Sequence, residues 1–228
     1  MAADKKRTRG PAPPELAEAV VEGIQDPALV QTRRDQICEA ALHLFLEKGF
    51  ASTTIRDICA RSGVNQASIY DYVANKHDIL RRLLNRLWFR TDVPTLPERL
   101  DRVGDAPLED TVFEYLRELW GAKREGILLS YRAVPHLRDE DRRAMHDREK
   151  RMLDDLAAHL RRYAGLASDD PRAEIVSNLI IFNTAFAPMR DWLLKGVDED
   201  VLLRTVASSI VAMVERLASE PVAAPTRA

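Results

Sequence analysis

Between Thr53 and Lys76 the sequence TTIRDICARSGVNQASIYDYVANK concentrates short side chains that donate or accept hydrogen bonds. Gln66, Ala67, Ser68 and Tyr70 fall on the leading or outward side of one short helical stretch. A glutamine amide pairs with an adenine edge, a serine hydroxyl bonds to several base edges, and an alanine methyl meets a thymine methyl. Arg56, outward on the preceding stretch, suits guanine or phosphate. Thr53, Thr54, Asn65, Tyr70, Tyr72 and Lys76 frame the stretch with uncharged or cationic groups suited to phosphate oxygens, which position without specifying. Other chemistry finds little support. Histidines 43, 77, 136, 146 and 159 are scattered with no i, i+4 pair, and there is no Cys-x-x-Cys, so neither a metal nor a cofactor is expected. No phosphate-binding glycine loop or Gly-x-Ser-x-Gly elbow occurs, and the acidic residues between Arg138 and Arg162 alternate with arginines as on a solvated helix face. Enzymatic activity is not expected.

These side chains need a rigid carrier. Ile55, Ile58 and Cys59 recur at i, i+3, i+4, one apolar face of a helix. Thr53 or Thr54 can cap it, and Gly63 ends it in the left-handed conformation glycine adopts at least cost. Val64 then enters the core, and Asn65 caps a second helix expected over Gln66 to Tyr72, with Ile69 inward. Two helices joined by a glycine-containing turn form a helix-turn-helix, whose second helix enters the DNA major groove. A preceding helix from about Thr32 to Lys48 carries Ile37, Ala40, Ala41, Leu44 and Phe45 at helical spacing, and Gly49 closes it. Asn75 caps a fourth, Lys76 to about Phe89, with Ile79, Leu80, Leu83, Leu84 and Leu87 inward.

The order Gly49-Phe50, Thr53-Thr54-Ile55, Ile58, Gly63-Val64, Ile69-Tyr70, Val73, Asn75-Lys76, Ile79-Leu80 resembles the N-terminal domain of the TetR family of transcriptional regulators over about fifty residues without a gap. Two positions depart: Tyr72-Val73 replaces the common His-Phe pair, and Cys59 the usual alanine. The resemblance places Tyr70 and Lys76 at DNA-contacting positions. It also implies a ligand-released repressor of a palindromic operator, dimeric through its last two helices.

Charge distribution agrees with one DNA-facing end. Residues 31–90 hold ten Lys/Arg against six Asp/Glu, whereas residues 91–228 hold twenty against twenty-five. The chain of 228 residues has ordinary apolar and charged fractions. No apolar run approaches the roughly 20 residues that span a bilayer, and residues 1–10 are basic without the apolar core of a secretory signal. The two cysteines lie in apolar helical patterns, as expected of buried thiols in the cytoplasm. The expected domains are a largely flexible tail (1–30), a helix-turn-helix domain with a linking fourth helix (31–90), a C-terminal domain (91–220) and a flexible tail (221–228). Within the first tail, Leu16, Val20, Val21 and Ile24 suggest a short amphipathic helix over Glu15 to Gln25, ending at Asp26-Pro27. Lys5, Lys6, Arg7 and Arg9 suggest either a solvated tail or an arm for phosphate.

Beyond the boundary marked by Pro94, Pro97 and Gly104, every segment reads as helix, giving an all-α fold class. Segments are expected at Leu108 to Trp120, Lys123 to Ala133, Asp139 to Tyr163, Pro171 to Lys195 and Asp198 to Ala218. Arg172 to Leu194 is apolar on more than one face and must bury more than one. With the helix carrying Val201, Val206, Ile210 and Val214, it would form a four-helix homodimer interface. Pro188 should kink this helix and free the carbonyl of Thr184. The resemblance further implies an effector pocket in this domain, for which Trp88, Phe89, Phe113, Trp120, Leu128, Tyr131, Phe182, Phe186 and Met189 are candidate walls. Arg132, Asn178, Asn183 and Arg190 are candidate polar contacts. Arginines near apolar groups suit an acyl-CoA or a similar anionic effector. The alternative is a DNA-binding regulator that needs no ligand or answers to a protein partner. A second is an enzyme with an accessory DNA-binding domain.

Overall fold

The computed structural model describes residues 16–21, 26–89, 93–102 and 107–219, and the regular elements among them are all helices, with no strand. Eight α-helices run α1 (Pro27–Lys48), α2 (Ile55–Ser62), α3 (Lys76–Leu87), α4 (Leu96–Leu100), α5 (Leu108–Ala133), α6 (Asp139–Ala164), α7 (Arg172–Arg190) and α8 (Glu199–Ser219). Their ends follow local chemistry. Thr54 and Asp57 form a capping box at α2, Thr95 and Glu98 form another at α4, and Asn75 caps α3. Gly63 (φ 71°) and Gly165 (φ 62°) close α2 and α6 in the left-handed region.

Four boundaries differ from expectation. Asp26-Pro27 starts a helix instead of ending one. The Asp26 carboxylate accepts from the N–H groups of Ala28 and Leu29, proline costs nothing in the first turn, and α1 begins five residues before Thr32. Residues 16–21 are therefore not an amphipathic helix; they are irregular and lie along α3, while Ile24 falls outside the described residues. Helix α5 is continuous through Gly121, because glycine inside a helix costs only about 1 kcal/mol and both halves bury side chains. Helix α7 ends at Arg190, and turns and bends over residues 191–197 carry the chain to α8.

Two apolar cores result. The first joins α1–α3 through Ile37, Phe45, Ile58, Val64, Ile69, Val73 and Leu83, and it also takes in Leu129 and Ala133 from α5, Leu137 from the turn after it and Met145 from α6. The second lies among α4–α8 around Leu116, Leu156, Ile180 and Ile210, and Trp88 packs against both. Pro188 behaves as its chemistry requires. The freed Thr184 carbonyl accepts a buried hydrogen bond of 2.7 Å from the Trp120 indole N–H, while the Thr184 hydroxyl donates to Ile181 O.

Trp120→Phe leaves that carbonyl without its donor and should lower unfolding free energy by about 1–3 kcal/mol beyond the loss of packing. Pro188→Ala restores an N–H four residues on. In urea titrations the tryptophan substitution should then cost about 1 kcal/mol less in the Pro188→Ala background. Equal costs in both backgrounds would show that the hydrogen bond contributes nothing.

Candidate nucleic-acid interface

Helix α2, the Gly63 turn and the segment after it present one exposed edge. The expected second helix is shorter and tighter than the spacing suggests: residues 66–68 form a turn, and Ile69–Asp71 form a single 3₁₀ turn. Its bonds are Ser68 N–H to Asn65 O, Asp71 N–H to Ser68 O and Tyr72 N–H to Ile69 O, all three residues apart. The Asn65 side chain accepts from Ala67 N–H and fixes the entry. Ile69 and Val73 are fully buried, which pins the segment to the core while Asn65, Gln66, Ala67 and Tyr70 face solvent and Ser68 is half-buried. Arg56 and Thr54 are exposed on the adjoining side of α2.

Three expected phosphate-contacting side chains are otherwise engaged. Thr53 is 1% exposed and its hydroxyl donates to the carbonyls of Gly49 (2.9 Å) and Leu44 (3.3 Å), so it ties the end of α1 to the start of α2. Tyr72 is buried, and its carbonyl accepts from Arg34 Nε at 2.9 Å. The Thr53 hydroxyl is thus spent within the fold, so Thr53 is corrected to a supporting residue, while Tyr72 leaves little of its surface to solvent. Lys76 reaches back over the Phe50 ring, 4.4 Å from its centroid, and donates to the carbonyls of Phe50 (2.7 Å) and Thr53 (2.8 Å). Its ammonium satisfies backbone acceptors left by the α1–α2 loop, and burial pulls its pKa below the ordinary value.

Sequence reasoning missed the residues around this clip. Phe50 stacks on His136 (centroids 5.5 Å apart) and meets His77 edge-on (5.1 Å), joining the α1–α2 loop to α3 and to the turn between α5 and α6. Asp57 accepts from Lys48 Nζ at 2.7 Å and from the Thr54 N–H and hydroxyl, which hold its carboxyl far below the usual carboxylate range. Thr54 with Asp57 three positions on has the spacing of a capping box; the lysine nine positions before Asp57 gives no such signal.

In the C-terminal domain a partly open, mainly apolar cavity of about 130 Å³ lies among α4–α8, walled by residues that include Leu96, Val112, Leu156, His159, Ile180 and Ile210. None of the thirteen candidate ligand residues lines it. Phe89, Phe113 and Trp120 are core, and Leu128, Tyr131, Phe186 and Met189 are part-buried, the last three packed against the second core. Trp88 bridges the cores with its indole N–H buried and unpartnered among the described residues. Arg132 donates to Leu46 O on the first domain, and Arg190 lies over Trp192. Asn178 and Asn183 bond back to Glu174 O and Leu179 O, and Phe182 faces solvent. These residues lie outside the lining of this cavity.

A three-helix unit with an exposed helix-turn-helix edge, carried on a separate helical domain, defines a class of DNA-binding regulators. Residues 37–83 match the family model of bacterial regulatory proteins of the tetR family. The regulator HbdR of Aromatoleum sp. is 34% identical over 137 residues, 59% of each chain. The repressor KstR2 of Mycobacterium tuberculosis is 36% identical over 55 residues, 24% of this chain and 28% of its own. The chain thus spans less than two thirds of these relatives' lengths. Solved regulators from Aquifex aeolicus (TM-score 0.53, 16% identity, 79% of this chain and 99% of the other) and Streptomyces coelicolor (0.53, 17%, 86% and 92%) share the fold. Over residues 37–83 the chain is thus similar to the DNA-binding region of the tetR family, and its overall fold is shared with solved regulators of that type.

Lys76→Ala removes a donor shared by buried or part-buried carbonyls and should lower unfolding free energy by about 1–3 kcal/mol, read as a shifted urea midpoint. A solvent-facing phosphate ligand would leave that midpoint unchanged.

Proposed function

We propose that this chain is a sequence-specific, homodimeric repressor released from a palindromic operator by a small, largely apolar effector in the cytoplasm. The observation that carries DNA reading is the exposed edge Gln66–Ala67–Ser68–Tyr70, flanked by Arg56 and Thr54 and held by the fully buried Ile69. Gln66 and Ser68 suit base edges, Arg56 suits guanine or phosphate, and Asn65, Tyr70 and Thr54 suit the backbone.

Dimerisation is supported by the outer face of α7. Ile175, Leu179 and Phe182, at i, i+4, i+7, are each about half exposed, with Val201 of α8 exposed as well. A contiguous apolar patch rimmed by polar groups marks an interaction surface, and a symmetric pair buries it against its own copy. Such a pair would present two recognition segments about 34–36 Å apart, one turn of duplex.

The cavity supports an effector of compact apolar shape. At about 130 Å³ it resembles in size an apolar cavity that binds benzene, so it would take a small body or the end of an acyl chain, not a whole acyl-CoA. Release then requires that the effector bind the DNA-incompetent arrangement more tightly than the competent one. The ligand-independent alternative would leave this cavity without a role.

The test begins with a duplex selected by the full chain from a random pool. Arg56→Ala and Tyr70→Ala should each weaken binding to it by about 1–3 kcal/mol with an unchanged urea midpoint. Normal binding by both variants would sink the assignment. Separately, Phe182→Glu should convert the dimer to monomer in sedimentation velocity and abolish tight operator binding. A dimer that survives this substitution places the interface elsewhere.

A further inference from the structure

The segment preceding the family domain is held along α3 by a ladder of backbone bonds. Leu16 inserts its side chain into the first core, 3% exposed. Its N–H donates to Asn85 Oδ1 (2.8 Å), and its carbonyl accepts from Asn85 Nδ2 (2.9 Å), a reciprocal pair that fixes register. Ala19 N–H donates to Asp78 Oδ1 at 2.8 Å, and Ala19 O accepts from Arg82 Nη2 at 2.7 Å. Glu18 pairs with Arg82 at 2.6 Å. Arg81 links three parts at once: Nη1 donates to Ala17 O (3.1 Å), Nε to Asp141 in the first turn of α6 (2.9 Å), and Nη2 to Glu140. Asp141 is 3% exposed, so this ion pair is almost closed off from water. Buried, multiply bonded pairs hold geometry far better than exposed ones.

Helix α3 carries the recognition segment at its N-terminal end and meets α5 at its C-terminal end, where Leu87 O would lie 2.7 Å from a Cβ at position 126. The apolar face of α3 is held by the first core, and its polar face, at Asp78, Arg81, Arg82 and Asn85, is the side on which residues 16–19 hold it.

We propose that residues 16–21 are a latch: they lock α3, through Arg81, to the N-terminus of α6 and so fix the angle at which the DNA-binding unit is presented. Arg81 is a positioning residue in this device and touches no DNA. The latch rests on the DNA-reading function proposed above. A fixed angle lets two copies meet successive major grooves without ordering α3 at the moment of binding, and that saving appears as affinity.

The experiment uses the full chain in three forms. Leu16→Gln with Ala19→Pro removes the apolar anchor and the N–H to Asp78. Asn85→Ala removes the reciprocal pair and leaves Leu16 intact, which guards against misfolding of the first form. Val20→Ser, at an 89% exposed position, is the control. Amide hydrogen exchange should accelerate at least tenfold across Ile79 to Arg86 in both release forms, with α8 unchanged. Affinity for the selected duplex should fall at least fivefold with the dimer intact, and the control should match the unmodified chain. Unchanged exchange, or faster exchange with affinity unchanged or increased, overturns the latch. If the unmodified chain selects no duplex, the DNA-reading function fails instead, and the exchange arm still decides whether the strap restrains α3.

Discussion

A side chain at position 126 would drive its Cβ to 2.7 Å from the Leu87 carbonyl oxygen, closer than real contacts allow. Glycine there lets the backbones of α3 and α5 touch, and most of the architecture follows from that contact. Helix α3 completes the first core with Ile79, Leu80, Leu83 and Leu84, all essentially inaccessible to water. Its end is jammed against the helix that forms the spine of the second core. One rigid rod is thereby shared by the two domains. Side chains at its N-terminal end, Lys76 and His77, bear on Phe50 and through it on the recognition unit. A displacement of α5 relative to α4 or α6 must therefore either move α3 or open this backbone contact.

The elements were legible wherever one face met one core. Ile37, Ala41 and Phe45, or Ile79, Leu83 and Leu84, repeat at helical spacing because each set fills one apolar space. Capping chemistry was equally legible at Thr54, Asn75 and Gly63, since each acts on groups within three or four residues. What spacing does not encode is pairing across distance. Lys76 and the Phe50 carbonyl are 26 residues apart, and Leu16 and Asn85 are 69. Both side chains look solvent-facing in sequence because their polarity is visible and their partners are not. Pro27 misled for a related reason: a proline stops one helix and starts another with the same ring, and only the bonds accepted by Asp26 decide which.

The walls of the cavity follow a different principle. Large aromatic side chains can wall a pocket, yet large side chains are also what closes space. Trp120 and Phe113 fill the second core, and Phe89 fills the first. The cavity persists where medium aliphatics such as Leu96, Val112, Leu156 and Ile210 meet without filling the gap. A void is set by the volumes that its lining lacks, so residue type alone points away from it. The same logic explains Phe182. Its bulk suggested a wall, but its place at the end of an exposed apolar stripe with Ile175 and Leu179 belongs to a surface that gains by covering.

The cavity and the first core lie at opposite ends of α5. Leu108, Thr111 and Val112 line the cavity from the first turn and a half of α5, while Ala133 at its far end enters the first core beside Leu137. Over 26 residues α5 spans about 39 Å at 1.5 Å per residue. A packed helix transmits such a shift as a body because interiors are nearly incompressible. Leu96 and Leu100 of α4 also face the cavity, and α4 follows α3 in the chain. A molecule wedged between α4 and α5 would thus act on both sides of the Leu87–Gly126 contact. Separating these two helices by even a fraction of an ångström strains the one point where the rod cannot slide. A rotation of α3 about that point would be resisted by the Arg81–Asp141 pair. If the cavity takes the effector proposed above, coupling between the two ends is the balance between that molecule's preference for the widened cavity and the bonds that hold α3 along its length.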